Sequence, residues 1–455
     1  MMSKVIGENF QNVKFTRKDI VKTLASEVCS VSIGERRVTI DPLTLFHRMC
    51  ILKKTDEELK DFLKHELSPF PLALFAEDGI RKGTKSTFYR AFHSVTLDEE
   101  QQGKDTHVVV DGGHLLHKVV WPRNVSFGEI GARYVQYLKS RYGSNIIVVF
   151  DGYPSDASEK NTKSSERLRR VGAKSSPDVI FDETTIAPVA QDKFLFNDRN
   201  KVRFINMLKV QLERNNILTL QAEEDADRLI VTTAISMSST YNVVKIAGDD
   251  IDLLVMLCGL SQNGGDHTPS TNRPKNNIIF EKCGRGKIPD VTYSTNSFTH
   301  QAQRELALFL HAFSGCDTTS ALFGQGKMKF LSTLKKQPRL EQNGVVFLNP
   351  NATPEQVTEA GESFLVSLYG GNSESQNLND LRFQMFTRAA AKTNMNLARL
   401  PPTSDAARFH SLRTYHQVQI WLGNKKNPLD WGWMRSTRGL IPQLMTKPPA
   451  PQPLL

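Results

Sequence analysis

Residues Ile146–Phe150 read IIVVF, a short and fully apolar run that ends directly at Asp151. Continuous apolar runs of this length are typical of strands in parallel sheets, because both faces of such a sheet are covered. A second run, Val108–Val110, lies upstream and ends at Asp111, and the candidate helix Ile130–Arg141 separates the two runs. The order strand, helix, strand predicts a parallel α/β unit.

The same alternation continues downstream of Asp151. The further predicted elements are a helix with its apolar face at Val202, Ile205, Leu208 and Leu212, a strand at Ile217–Leu220, a helix at Ala222–Ala234, strands at Val243–Ala247 and Ile278–Phe280, and a helix at Arg304–Phe313. We therefore expect residues 105–340 to form an α/β domain with a mainly parallel central sheet.

The regions on either side of this domain have a different pattern. Residues 1–104 are predicted to be mostly helical: Asp41-Pro42 is typical of a helix start, and Thr55 with Glu58 forms a capping box. Residues 341–455 are predicted to be helical and loop-rich. Their proline-rich tail, from Gly439 onward, is expected to be unpacked.

Composition excludes several classes of protein. A chain of 455 residues with 39% hydrophobic and 23% charged residues is typical of globular proteins. No apolar stretch approaches the ~20 residues of a membrane helix, and we expect no signal peptide. The five cysteines are scattered and form no C-x-x-C pair, so the sequence supports neither a disulfide framework nor a zinc finger. Because cysteines stay reduced in the nucleus and cytoplasm, we expect the protein in one of these compartments. The net charge of +10 weakly indicates a polyanionic partner.

Acidic residues follow every candidate parallel strand of the central region. Asp111 and Asp151 follow the first two, the segment 223–227 follows the third, and Asp250 and Asp252 follow the fourth. Because ligands bind outside the carboxyl ends of parallel strands, we expect these acids to lie close together. Repulsion within such a set calls for cations, and Mg²⁺ or Mn²⁺ suits oxygen ligands. For any one acid, helix capping is the favoured explanation, whereas the whole set favours a metal site.

The spacing of the acidic residues along the chain determines which of their side chains can converge. In an extended segment, Asp250 and Asp252 point to the same side. Glu223 and Asp225 do not share a helix face, so they converge only if the helix begins between them.

Five motifs, in this order, resemble the flap endonuclease family of structure-specific 5′ nucleases, which belongs to the PIN-like superfamily. They are Val108–His117 (VVVDGGHLLH), Val148–Gly152 (VVFDG), Ala222–Leu229 (AEEDADRL), Gly248–Leu254 (GDDIDLL) and Gly315–Lys327 (GCDTTSALFGQGK). The resemblance covers about residues 105–335 and implies a PIN-like α/β/α sandwich.

The resemblance also implies which carboxylates are catalytic and hold metal. The implied residues are Asp111, Asp151, Glu223, Asp225, Asp250, Asp252 and Asp317, with Asp225 standing where the family has a second glutamate. In the family these acids hold two Mg²⁺ ions, which activate water and stabilise the attacking and leaving oxygens.

Two basic segments are candidates for nucleic-acid contacts. Lys160, Lys163, Arg167 and Arg170 resemble the family's basic helix at the scissile phosphate, although a solvated basic face fits equally well. The glycine turn before Lys327 and Lys329 resembles the family's helix–two-turn–helix, but the family's proline after the second glycine is absent. An ordinary turn between helices is the alternative. We expect both segments to rim the acid pocket.

The whole chain also resembles a group of uncharacterised animal proteins associated with mobile elements, through phrases such as Pro69–Phe75 (PFPLALF), His311–Ala321 (HAFSGCDTTSA) and Asp430–Trp433 (DWGW). His311 and Cys316 are interpreted as core residues. The sequence thus predicts a divalent-metal-dependent nuclease acting on DNA, or on RNA. The alternative is an inactive PIN-like scaffold that binds nucleic acid or protein.

Overall fold

The structure is a computed structural model that describes residues 29–33, 36–40, 48–49, 55–96, 105–153, 162, 176–261, 278–284, 286, 288–390, 396–436 and 439–452. Its strands are β1 (Cys29–Ile33), β2 (Arg36–Ile40), β3 (Phe75–Ala76), β4 (Gly79–Ile80), β5 (Thr106–Asp111), β6 (Ile146–Phe150), β7 (Leu218–Gln221), β8 (Val243–Gly248), β9 (Ile278–Lys282), β10 (Val291–Ser294), β11 (Trp433–Ser436) and β12 (Gly439–Pro442).

The α-helices are α1 (Asp56–Leu63), α2 (Gly112–Lys118), α3 (Phe127–Tyr142), α4 (Gln191–Phe196), α5 (Asp198–Arg214), α6 (Asp227–Met237), α7 (Ile251–Leu260), α8 (Ala307–Phe313), α9 (Lys327–Lys336), α10 (Glu341–Leu348), α11 (Pro354–Leu368), α12 (Leu378–Ala390) and α13 (Ser404–Leu422). Among the shorter elements, the 3₁₀ helix Lys85–Ala91 bears on the site.

A six-stranded sheet with the order β10-β9-β8-β5-β6-β7 forms the centre. The neighbours from β9 to β7 are parallel, and β10 is antiparallel to β9. The predicted α/β class with a mainly parallel sheet is confirmed. The carboxyl ends of β5, β6 and β8 consequently lie at one edge of the sheet.

Helices cover both faces of this sheet. Successive residues of a strand point to opposite faces, and Val109 joins one apolar core while Val108 and Val110 join the other. The first core includes residues of α6, α7, α8, α11 and α13. The second includes residues of α2 to α5. The result is an α/β/α sandwich whose first core also takes in residues from both flanking regions.

Two predicted helices differ from the structure at their first turns. The helix expected at Ala222–Ala234 begins at Asp227, because Asp151 accepts a hydrogen bond from the Ala226 amide at 2.9 Å and holds residues 222–226 in a turn. The helix expected at Arg304–Phe313 is a 3₁₀ helix, Gln301–Leu306, that continues into α8.

The described part of the N-terminal region contains both helices and strands. Within its described residues, the capping box of Thr55 and Glu58 is confirmed at the start of α1, but the hairpins β1–β2 and β3–β4 are also present. The first hairpin is rich in β-branched residues, which favour strands. The predicted helix start at Asp41-Pro42 lies outside the described residues.

The prediction of an unpacked C-terminal tail is wrong for its described part. Strand β12 pairs with β11, and the Pro449 carbonyl accepts a hydrogen bond from the Leu67 amide at 2.8 Å. Ala450 is fully buried in a small core that includes residues of α1 and Phe386 of α12. Proline, which donates no backbone hydrogen bond, still accepts one through its carbonyl, and its presence therefore does not preclude packing. No helix in the described segments is both long and apolar enough to cross a membrane.

Candidate metal centre

Asp111 lies where β5 passes into α2. Its Oδ1 accepts hydrogen bonds from the amides of Gly113 (2.8 Å) and His114 (3.2 Å), so the carboxylate caps the helix. Burial, together with the charges of Asp227 and Asp151, raises the pKa of Asp111 to about 7. The shift means that burial and the neighbouring carboxylates disfavour the ionised form of Asp111.

Asp151 lies beside Asp111 at the end of β6. A Cβ placed on Gly113 would lie 3.2 Å from Asp111 Oδ1 and 3.7 Å from Asp151 Oδ2, so the two carboxylates meet over this glycine. A Cβ on Gly152 would lie 2.1 Å from the Glu223 carbonyl oxygen. Glycine at this position therefore lets the chain after β6 lie directly against the turn at residues 222–226.

The acid that the turn at residues 222–226 places near Asp111 is not the one that we expect from the sequence. The side chain of Glu223 is 95% exposed, with the Lys425 ammonium 3.9 Å away, so the structure does not bring Glu223 into the cluster. Asp225 is half-buried in the same turn. Asp227, the first residue of α6, is buried and close enough to raise the pKa of Asp111. We call Asp111, Asp151 and Asp227 the Asp111 cluster.

The reason for the difference is the late start of α6. Neither of the residues Glu223 and Asp225 lies within the helix, whereas Asp227 opens it. Asp227 lies four residues after Glu223 in the acidic segment 223–227. The sequence alone gives no reason to choose Asp227 over Glu223 as the residue that faces Asp111.

A second group of carboxylates comes together at the start of α7. Asp250 is the N-cap of α7 and accepts from the Asp252 amide at 3.0 Å. Asp317 joins from the turn after α8, and one carboxylate oxygen of each residue lies within 4.8 Å of the others. We call these three residues the Asp250 cluster. Asp250 and Asp252 converge as expected, but around a helix start rather than along an extended segment.

The two clusters adjoin each other at the sheet edge. Gly248 ends β8 next to β5, and a Cβ on it would lie 3.5 Å from Asp111 Cβ. Asp250 follows two residues later. Asp111 and Asp151 therefore lie near each other at this edge, and Asp250, Asp252 and Asp317 form a group beside them, whereas the Glu223 side chain lies in solvent.

A lysine that the sequence did not single out contacts the whole Asp250 cluster. Lys85 Nζ lies 2.8 Å from Asp250 Oδ2, 3.1 Å from Asp252 Oδ2 and 3.1 Å from Asp317 Oδ2. Lys85 begins the 3₁₀ helix Lys85–Ala91, more than twenty residues before the first strand of the sheet. No local pattern distinguishes it from the neighbouring lysines.

His311 contacts the buried member of the Asp250 cluster, Asp252. It is a buried residue, as predicted, but its Nε2 also lies 2.8 Å from Asp252 Oδ1. Burial and the charges of Lys327 and Lys85 lower the pKa of His311 well below its ordinary value. The neutral ring therefore donates its Nε2–H to the carboxylate.

Lys327 does not have the exposed position that a phosphate contact requires. Its side chain is buried, and Nζ donates to the His311 carbonyl (3.0 Å), to Ser314 Oγ (3.0 Å) and to the Gly315 carbonyl (2.5 Å). Burial lowers its pKa to about 8. The first position of α9 turns inward against the end of α8, which corrects the prediction for Lys327.

Lys329, in contrast, is exposed and donates to Gln325 Oε1 at 2.6 Å. Lys160, Lys163, Arg167 and Arg170 lie outside the described residues, so their expected position beside the acids stays a prediction.

The donor chemistry of the Asp111 cluster fits a hard divalent cation. Its carboxylate oxygens are the ligands that Mg²⁺ and Mn²⁺ prefer, and burial together with the neighbouring carboxylates raises the pKa of Asp111. The Asp250 cluster has the same donors, but in this structure its charge is partly neutralised by an ammonium group.

Comparison with known proteins gave one family match and several structural similarities. The model of a domain of unknown function, DUF8702, matches residues 1–66. No curated protein matches the chain by sequence. Among solved structures, the chain is similar to the catalytic core of Rad2 in complex with DNA substrate, at 15% identity and a TM-score of 0.36 over 75% of this chain and 94% of that one.

The chain is also similar to two structures of phage proteins. One is the T5 5′-exonuclease with divalent metal ions (zinc) bound, at 14% identity and a TM-score of 0.32 over 70% of this chain and 98% of that one. The other is a bacteriophage T5 flap endonuclease in a pseudo-enzyme-product complex with DNA and metal ions, at 13% identity and a TM-score of 0.33 over 70% and 98%.

Proposed function

We propose that this protein is a divalent-metal-dependent nuclease that hydrolyses phosphodiester bonds. The observation that carries the proposal is the meeting of carboxylates from separate elements at one edge of a parallel sheet. Asp111 ends β5, Asp151 follows β6, Asp227 opens α6, and the Asp250 cluster follows β8 and α8. Keeping so many like charges close together lowers the stability of the fold. A purely structural role would not require these charges.

In this proposal the Asp111 cluster, with Asp225 beside it, holds Mg²⁺ or Mn²⁺. The bound ion supplies an activated water and neutralises charge on the phosphate. The amides of Gly113 and His114 hold the Asp111 carboxylate in one orientation, and the Ala226 amide does the same for Asp151. The His311 ring orients Asp252, and the cluster holds the Lys85 ammonium at the edge of the site.

The proposed substrate is DNA, with RNA as the second choice, and the proposed location is the nucleus or cytoplasm. A net charge of +10 supports a polyanionic substrate. Lys329 and the segment Lys160–Arg170 would contact phosphates, which position a nucleic acid without selecting its sequence.

The test is cleavage of 5′-labelled single-stranded, duplex and flap DNA, and of the matching RNA, with Mg²⁺ or Mn²⁺. Cleavage should stop with EDTA and return when metal is added. Asp111→Asn and Asp227→Asn should lower cleavage more than about 100-fold, since losing a group that only supports a metal ligand already costs about 10–100-fold. Asp250→Ala and Asp252→Ala should also abolish it, because each removes a carboxylate that holds the Lys85 ammonium at the site.

Glu223→Gln is the matched control, because it neutralises an acid of the same turn whose side chain lies in solvent. It should cut like the wild type. Melting temperatures measured on the same samples separate loss of chemistry from loss of fold. Full cleavage by a folded Asp111→Asn, Asp227→Asn double variant would exclude this site.

One observation favours the alternative of an inactive scaffold. The Lys85 ammonium neutralises part of the Asp250 cluster, as it would in a site that no longer needs metal. A folded wild-type protein that binds the labelled nucleic acids in Mg²⁺ without cutting any of them would support the scaffold and contradict the nuclease.

A further inference from the structure

Lys85 contacts each of the three carboxylates of the Asp250 cluster. An ammonium group has three N–H donors and no acceptor. Lys85 Nζ meets one oxygen from each of three carboxylates at 2.8–3.1 Å. Asp252, the most buried of the three, uses its other oxygen to accept from His311. The ammonium therefore occupies the place between the carboxylates that a cation would take.

The segment that carries Lys85 is packed firmly in position. Phe88 is fully buried, with its ring centroid 5.2 Å from that of His311 and 6.3 Å from that of Phe298. The Tyr89 hydroxyl donates to the Asp249 carbonyl at 3.2 Å, one residue before the cluster. Contacts on both sides thus tie the 3₁₀ helix to the elements that bear the carboxylates. The position of Lys85 follows from core packing rather than from a loose surface chain.

The carboxylate oxygens that contact Lys85 are poorly placed to bind a divalent ion at the same time. Mg²⁺ lies ~2.1 Å from its ligands. A Mg²⁺ ion on an oxygen that is at most 3.1 Å from Lys85 Nζ would lie within about 5 Å of that nitrogen. Two positive charges at this separation repel each other strongly in a partly buried site.

We propose that the Lys85 ammonium is a tethered cation that takes the place of one divalent ion at the Asp250 cluster. The Asp111 cluster is then the place where a single divalent ion binds. The inference rests on the proposed function, because it specifies the cation content of that site. In this inference Lys85 places a fixed positive charge at the sheet edge. Removing its side chain should therefore create a second binding site for a divalent ion.

The experiment counts bound Mn²⁺ by titration, following the EPR signal of the free ion. Wild-type protein should bind one Mn²⁺ per chain, and Lys85→Ala should bind two. The double variant Lys85→Ala, Asp252→Asn should return to one. In the wild-type background, Asp252→Asn should leave the count unchanged, because an ammonium rather than a metal occupies that cluster.

Melting temperatures give a second measurement. Without its cation the Asp250 cluster repels itself, so Lys85→Ala should melt below the wild type in EDTA. Saturating Mn²⁺ should raise the melting temperature of Lys85→Ala more than that of the wild type, since an additional site contributes binding free energy. Lys64→Ala, which removes an exposed lysine paired with Asp61 on α1, is the control and should bind one Mn²⁺.

Two outcomes would overturn the inference: a wild-type count of two that Asp252→Asn lowers to one, or a Lys85→Ala count that stays at one. The wild-type comparison holds even if Lys85→Ala does not fold. The count does not depend on cleavage. A protein that binds one Mn²⁺, gains a second in Lys85→Ala and cuts nothing would refute the proposed function alone, whereas a nuclease with two ions would refute the inference alone.

Discussion

Single residues at the sheet edge differ in how their charge is compensated. Asp252 is buried between an ammonium and a neutral imidazole, so its negative charge has partners on both oxygens. Asp111 receives two backbone amides but faces the charges of Asp227 and Asp151. Asp252 thus lies against a cation, whereas Asp111 lies near two other carboxylates.

Asp111 should make the stability of the metal-free protein depend on pH. Its pKa is raised from 3.8 to about 7, so the folded state holds a proton that the unfolded state has released. The free energy of unfolding should therefore fall as pH rises from about 4 to 7. Asp111→Asn should remove this dependence and melt above the wild type at pH 8.

Thermal melts in EDTA from pH 4 to pH 8 provide the measurement. Glu223→Gln, at an exposed carboxylate, should follow the wild-type curve. If Asp111→Asn kept the wild-type slope over this range, the interpretation of Asp111 would have to be abandoned.

The turn at residues 222–226 fixes where α6 begins, and therefore which acid of this segment faces the site. The turn at residues 222–226 lies directly against the chain after β6, through the Gly152 amide, which donates to the Glu224 carbonyl at 2.6 Å, and through the bond from Ala226 to Asp151. This close approach decides that Asp227 rather than Glu223 faces Asp111.

Gly152→Ala should disrupt that turn. The added Cβ would lie 2.1 Å from one backbone oxygen and 2.3 Å from another, so the backbone itself must move. Overpacking of this kind costs about 1–3 kcal/mol. We expect a lower melting temperature together with weaker Mn²⁺ binding.

Gly326→Ala is the control for this change, because a Cβ there meets no atom within 4 Å and its φ of −74° suits alanine. It should melt within a degree or two of the wild type. Equal melting temperatures and Mn²⁺ affinities for Gly152→Ala and the wild type would show that the turn does not position Asp227.

The whole molecule is held together by contacts between distant parts of the chain. The C-terminal tail joins α1 through the carbonyls of Pro448 and Pro449, which meet His65 Nδ1 at 2.9 Å and the Leu67 amide at 2.8 Å. Asp405, in the first turn of α13, accepts from the amides of Thr446 and Lys447. The tail therefore links the N-terminal region to the C-terminal helices.

A chain that ends at Gln443 should be folded but less stable than the full chain. It loses the burial of Ala450 and several hydrogen bonds, each with a net value of about 0.5–1.5 kcal/mol. The melting temperature should fall by several degrees. Asp405→Asn, which weakens the attachment without shortening the chain, should give a smaller decrease in the same direction, whereas an unchanged melting temperature for the truncated chain would contradict a structural role of the tail.

The sequence by itself determined the central sheet and most of the acids at its edge. Buried parallel strands are continuous apolar runs, and their ends are marked by the residues that follow, so Asp111, Asp151, Asp250 and Asp252 were identifiable from local pattern alone. These features depend on short stretches of chain, which sequence periodicity reports directly.

Only the tertiary structure decided which groups meet these acids. Glu223 and Asp227 lie in one acidic run, and the contact of Gly152 with residues 222–226 selects between them. Lys85, His311 and the inward turn of Lys327 depend on packing between the 3₁₀ helix, α8 and α9, which are far apart in sequence. An ammonium at the Asp250 cluster has no local sequence pattern, because its partners come from three separate segments of the chain.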